Sequence, residues 1–284
     1  MRPYGSSFLF IALLVVICAC NRMSDYSQNS VLVSDQLSNR NVLCFAQDSL
    51  GYVWIGTAHG LNRYNSDNYH QYLKQDDESA SLPSNTIHAL FVDPSGRLWV
   101  GTGNGACFYL PETDSFQHVH NRSQFNQVHQ VWQDSSGRIL FNLIEELCEF
   151  DSDHPDMKTV IRHFDPTEEY INFCYPGQDG LLWSVTGHRI RAYDERTYEL
   201  VFEEVLEPRI TDSNMTEDGV IDISTDSGPL SFDIAHRRLS ERSLIGGLSE
   251  DNTNEDVSTR FVDKDGNLWT GTKHHGFQFR AFGS

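Results

Sequence analysis

Apolar and polar positions along this chain recur at a long period. The pattern Asp-x-x-Gly-x-aliphatic-Trp-x-Gly-Thr is clearest at residues 48–57 and 93–102, and returns at 263–272. Weaker copies centre on Gly137, Gly180 and Gly219. The six index glycines, Gly51, Gly96, Gly137, Gly180, Gly219 and Gly266, are separated by 45, 41, 43, 39 and 47 residues. That spacing is the length of one four-stranded propeller blade. Nine residues before each glycine stand Val42, Ile87, Val128, Ile171, Ile210 and Val257, all β-branched. Two residues after it stand Val53, Leu98, Ile139, Leu182, Ile221 and Leu268. Thirteen after it stand Tyr64, Tyr109, Phe150, Tyr193, Phe232 and Phe279.

Each column predicts a strand role. The β-branched position opens an inner strand, with a second buried position three residues later, as in Val42/Phe45, Ile87/Leu90 and Val128/Val131. Asp-x-x-Gly is a turn: Asp caps it and Gly takes the φ > 0 position. The next stretch, such as 52–57, is a second strand whose Trp packs between blades. Thr and Gly then turn the chain into a third strand that ends on the aromatic column. A fourth strand is expected at 69–73, 116–119, 159–164 and 198–202. Copy three carries Leu140 and Leu143 where Trp and Thr belong. Copy five has Asp222 at the Trp place and Ser213 in the first strand, and copy six has Arg260 where the first four copies are apolar.

The last copy supplies three strands, and residues 30–34 (Val31, Leu32 and Val33 at their centre) have no blade of their own. Pairing this segment into the last blade would cover its open edge. The fold expected is therefore all-β, a propeller of six four-stranded blades over 42–284. Two forms remain open, a closed ring of six and an incomplete ring of seven.

Residues 1–20 carry Arg2 and an apolar run over 8–20. Thirteen residues are short for a spanning helix and suit a signal-peptide core. The run ends in Cys20, which in a lipoprotein signal would be the lipidated residue; a plain signal peptide and an uncleaved anchor are the alternatives. All three export the rest of the chain, with the membrane touched only through the N-terminal anchor. Residues 21–41 then form an N-terminal segment holding the closing strand. Cys44, Cys107, Cys148 and Cys174 are expected to be small buried residues, and no spacing resembles a metal knuckle. A net charge of −19 argues against nucleic acid as a partner.

The first copy reads Leu37-Ser38-Asn39, then Val42 to Asp48, Gly51-Tyr52-Val53-Trp54-Ile55-Gly56-Thr57 and Gly60-Leu61-Asn62-Arg63-Tyr64. It resembles the two-component regulator propeller repeat, in particular that of the N-terminal region of Bacteroidetes hybrid two-component sensors. The resemblance covers roughly residues 35–284. It implies an exported, non-catalytic propeller that senses glycan breakdown products, with a histidine kinase portion or a partner protein carrying the signal onward. In that family an Ig-like segment, a membrane helix and a kinase follow; this sequence holds none of them before Ser284. A stand-alone structural or protein-interaction propeller, a gene remnant and a propeller lyase or hydrolase are the other readings.

Eight residues after each glycine lies the turn between second and third strands. These residues, His59, Asn104, Glu145, His188, Ser227 and His274, should ring one face, together with the long connection at 74–85. Loops on a rigid scaffold are where binding sits, and an oligosaccharide-like ligand would suit such polar groups. No catalytic set, metal set or cofactor is expected. His118, His120, His274 and His275 lack a ligand spacing, and the acid pairs Glu145-Glu146, Glu168-Glu169 and Glu203-Glu204 read as surface charge.

Overall fold

The computed structural model describes residues 31–33, 35–66, 68–76, 80–121, 126–143, 146–151, 156–162, 171–177, 179–215, 219–241 and 257–282. Residues 1–20, where a signal peptide with Cys20 is expected, and the candidate site residue Glu145 lie outside the described residues.

The chain begins with β1 (Val31–Val33). Blade one follows as β2 (Val42–Gln47), β3 (Val53–Thr57), β4 (Gly60–Tyr64) and β5 (Tyr69–Tyr72). Blade two is β6 (Ile87–Val92), β7 (Leu98–Thr102), β8 (Gly105–Leu110) and β9 (Ser115–Asn121). Blade three is β10 (Val128–Gln133), β11 (Ile139–Leu143), β12 (Glu146–Asp151) and β13 (Asp156–Arg162). Blade four is β14 (Ile171–Pro176), β15 (Leu181–Thr186), β16 (Arg189–Asp194) and β17 (Leu200–Val205). Blade five is β18 (Ile210–Met215), β19 (Val220–Thr225), β20 (Gly228–Asp233) and β21 (Arg238–Glu241). Blade six is β22 (Val257–Val262), β23 (Leu268–Thr272) and β24 (Phe277–Arg280).

Each blade is an antiparallel meander. β1 completes the sixth one, with Val31 opposite Phe279 and Val33 opposite Phe277. This is the arrangement expected of a closed six. Blades two and three are joined into one eight-stranded sheet where β9 and β13 run parallel for two residue pairs.

The Asp-x-x-Gly turn does two jobs. In blade two, Asp93 Oδ1 accepts the amides of Ser95 and Arg97, while Oδ2 accepts Trp99 Nε1 at 2.9 Å. Asp48–Trp54 and Asp263–Trp269 repeat the indole link, each at 2.8 Å. One carboxylate therefore fixes both the turn and the rotamer of the ring that packs between blades. The index glycines hold φ between 74° and 88°, as the turn requires.

The Trp rings lie where the sequence places them. Trp54 sits in the core shared by blades one and two, Trp99 in that of two and three, and Trp183 in that of four and five. Trp269 packs with Phe45 of blade one, which seats the last blade against the first. Between blades three and four the ring is Trp132, on the inner strand, opposite Leu140. Among the described residues no apolar cluster spans blades five and six. Arg260 is exposed where blade one buries Phe45, and Asp222 is half-buried where blade one buries Trp54.

Three expected positions shift. The aromatic column holds in five blades, but Phe279 pairs with Trp269, and Leu268 faces Arg280. The cause is the turn Lys273–His275, one residue longer than its siblings, which advances β24 by one place. The strand expected at 198–202 begins at Leu200, because Tyr198 adopts φ 58° in the preceding turn. The strand expected at 159–164 is Asp156–Arg162. The four core cysteines are free thiols, and burial pushes Cys44, Cys107 and Cys174 up.

Candidate functional site: the turn face and the channel mouth

The threonine column builds the face expected to bind. Thr57 Oγ1 donates to Gly60 O at 2.7 Å and accepts the His59 amide at 3.2 Å. Thr102 does the same for Gly105 and Asn104, and Thr225 for Gly228 and Ser227. Each lock holds the backbone of one candidate residue, so the turn is rigid while its side chain is left to solvent. His59, Asn104, Ser227 and His274 are exposed, and His188 is half-buried. In blade six the extra turn residue changes the roles: Thr272 Oγ1 accepts the amide of His275, so His275 rather than His274 takes the place equivalent to His59.

These residues stand at the turns of separate blades. Asn104 lines a cleft of about 570 Å³, between the connection after β5 and the outer part of blade two. Lys74, Asp76, His118, His120 and Asn126 share its wall. His118 Nε2 lies 2.7 Å from Ser81 O, which ties the connection to β9. Asn126 Nδ2 donates to Asn104 Oδ1 at 3.4 Å. A second cleft, of about 360 Å³, opens on the opposite face where blade six meets blade one, beside Tyr64, Trp269, Phe279, Asp263 and Asn267.

Sequence reasoning missed one ring of residues. In all six blades the pairing of the inner strand slips by one just after its first residue. The extra residues are Leu43, His88, His129, Asn172, Thr211 and Ser258. A bulge re-aims a side chain out of the ladder. Here it falls at the end of the inner strand that pairs with the threonine lock, so these residues belong to the same face, nearest the axis. Ser258 Oγ donates to Val42 O of the neighbouring blade. His88 and His129 lie side by side, ring centres 5.3 Å apart and planes tilted by 34°. Gln127 Nε2 donates to His88 Nε2 at 3.0 Å. Burial holds both imidazoles below the ordinary histidine range, and the His88 charge lowers His129 further.

Of the acid pairs, Glu145, Glu168 and Glu169 lie outside the described residues. Glu203 is held by Arg189 at 2.9 Å and Arg191 at 2.6 Å on blade four. Among the described residues no group of three or more histidine, cysteine or acidic side chains converges as a metal cluster would.

Residues 36–59 and 81–104 match the family model for the two component regulator propeller. These two segments are thus similar to that repeat. Each runs from the end of the preceding connection through the Asp-x-x-Gly turn to the locked threonine turn, so His59 and Asn104 stand at the last positions of the matched segments or next to them. No curated protein matches the chain. Among solved structures, it is similar to the extracellular domain of the hybrid two-component system BT3049 from B. thetaiotaomicron, at 18% identity and TM-score 0.52 over 88% of this chain and 41% of that one. The extracellular domain of the one-component system BT4673 from the same organism matches at 18% identity and TM-score 0.54, over 89% and 40%. The chain thus spans about two fifths of the length of these sensor domains. Virginiamycin B lyase from Staphylococcus aureus shares the fold at 10% identity and TM-score 0.67, over 90% of this chain and 99% of that one. At these identities the likenesses establish the propeller fold. The two matched segments add the likeness to that repeat in blades one and two.

Proposed function

We propose that this propeller is the ligand-binding input module of an exported two-component sensor, recognising glycan-derived ligands without transforming them. The observation that carries the reading is the polar cleft on the turn face, bordered by the second segment that matches the two-component regulator propeller. Its wall offers amide, imidazole, ammonium and carboxylate groups on a rigid frame, the mixture that suits a ligand rich in hydroxyl groups. Export is supported by the apolar run at 8–20 and by the extracellular origin of the sensor domains with the same fold. A histidine kinase portion or a partner protein would carry the signal onward.

The test is an oligosaccharide array probed with the chain, followed by titration of each hit. Asn104→Ala and His118→Ala should weaken binding at least tenfold; His59→Ala and His188→Ala should weaken it less. Asn104→Ala, His59→Ala and His188→Ala should leave the melting temperature unchanged. An array without hits across neutral and acidic glycans would reject the ligand class. The lyase reading has the shared fold of virginiamycin B lyase behind it. Appearance of cleaved product during the titrations would favour it over recognition.

A further inference from the structure

The bulge ring sets two imidazoles together at the mouth of the channel, and we propose that His88, His129 and the Gln127 amide form a binding site for a divalent transition-metal ion such as Zn²⁺. Three observations carry this. The first is spacing. Two imidazoles that share one tetrahedral ion through nitrogens at about 2.1 Å have their ring centres about 5 Å apart. The pair stands at 5.3 Å, with planes tilted by 34° rather than stacked.

The second is a third donor. The Gln127 amide lies 3.0 Å from His88 Nε2. Two donors bound at about 2.1 Å to one tetrahedral ion are about 3.4 Å apart, so the amide needs to move back by only a few tenths of an ångström. The amide now gives its N–H to that ring nitrogen; turned over, it presents its oxygen there, and the ion takes the place of the shared proton. The third is environment. Both rings are half-buried, so a bound ion would be partly shielded from water. Imidazole nitrogens suit a zinc, nickel or copper ion.

Gly103 frames the site. A Cβ there would come within 3.3 Å of Ser84 Oγ and 3.8 Å of His88 Nε2. The turn that carries Asn104 thus runs beside His88. Three protein donors leave a fourth position for water, on the side of the axis.

The test uses Zn²⁺ alone, titrated calorimetrically into the chain at pH 7.5. One equivalent should bind saturably. His88→Ala and His129→Ala should each weaken it at least tenfold, Gln127→Ala severalfold, and His274→Ala with His275→Ala not at all. Cu²⁺ bound to the unaltered chain should show, in its paramagnetic resonance spectrum, coupling to two imidazole nitrogens; this readout needs no variant to fold. Absence of saturable uptake overturns the proposal. So does uptake that survives in the His88→Ala/His129→Ala variant, or a copper spectrum without imidazole nitrogen. None of these outcomes depends on whether the 570 Å³ cleft takes a glycan.

Discussion

Blade three and blade five both lack the tryptophan of the repeat, yet they end differently. At the place where blade one pairs Ala46 with Trp54 across β2 and β3, blade three pairs Trp132 with Leu140, and blade five pairs Asn214 with Asp222. Blade three has exchanged the large and small partners of one cross-strand pair. Trp132 and Leu140 are buried, at 7% and 0% exposure, in the core shared with blade four. Blade five has no large partner, and no apolar cluster joins it to blade six among the described residues. The pair is thus the unit that the repeat preserves, rather than the column.

The exchange also has a cost in hydrogen bonding. Trp54, Trp99 and Trp269 give their indole N–H to a turn carboxylate. Trp132 Nε1 is buried without a partner, and Asp134 instead takes the Arg138 side chain at 2.6 Å. Packing volume is kept while the link between turn and ring is lost.

Four measurements would break or sharpen this contrast. The largest effect is expected from Trp99→Ala, about 3–5 kcal/mol by denaturant unfolding, with a similar loss for Trp132→Ala. A loss under 1 kcal/mol for Trp132→Ala would show that the exchanged ring does not carry the seam. Next comes Asp93→Asn, which weakens the turn caps and the indole link together; about 2 kcal/mol is expected, the scale of hydrogen bonds to a charged group. Burial alone would raise the Asp93 carboxyl, but hydrogen bonds from Ser95, Trp99 and the Arg97 amide outweigh it and hold it below the ordinary range. A depressed folded value means that its contribution is complete above the unfolded value of about 4 and is lost as pH falls through the folded one. Asp93→Asn should therefore flatten the acid side of the stability profile; an unchanged slope would remove this assignment.

The third is the reverse exchange, Trp132→Leu with Leu140→Trp. It conserves volume and should cost less than about 1.5 kcal/mol, well short of the summed costs of Trp132→Leu, which leaves a cavity, and Leu140→Trp, which overpacks. Strong non-additivity in that direction is the signature of one shared pair. The smallest is Asp222→Ala, within about 0.5 kcal/mol, as at a position outside any apolar seam. A loss of several kcal/mol there would mean that polar contacts hold blades five and six as firmly as the rings hold the others.

Much of this was written in the sequence because the repeat states each blade's plan six times. The Asp-x-x-Gly turns, the threonine locks and the Trp seams needed only the columns. The strand at 31–33 was legible as an orphan with a matching vacancy in the last blade. What escaped reading had physical reasons. A column index cannot see that one added residue at Lys273–His275 moves Phe279 onto the Trp269 column and exchanges His274 for His275. It cannot see that Trp132 serves for the missing ring, since the compensation crosses from one strand to another. The bulge ring has no residue signature, because a bulge is a property of pairing. His88 and His129 therefore read as two unrelated histidines 41 positions apart.

The place of β1 sets an order of events in time. Val31 pairs with Phe279, so the first of the described strands waits for the last of them to be made. A chain threaded through a membrane from its N-terminus would hold β1 single on the far side until β24 arrives. During that interval blades one to five can assemble by local pairing, each meander from neighbours in sequence, whereas the last needs the longest loop to close. The final blade is then the slow step and the period of greatest exposure to other chains, since β1 and β24 each present an open edge.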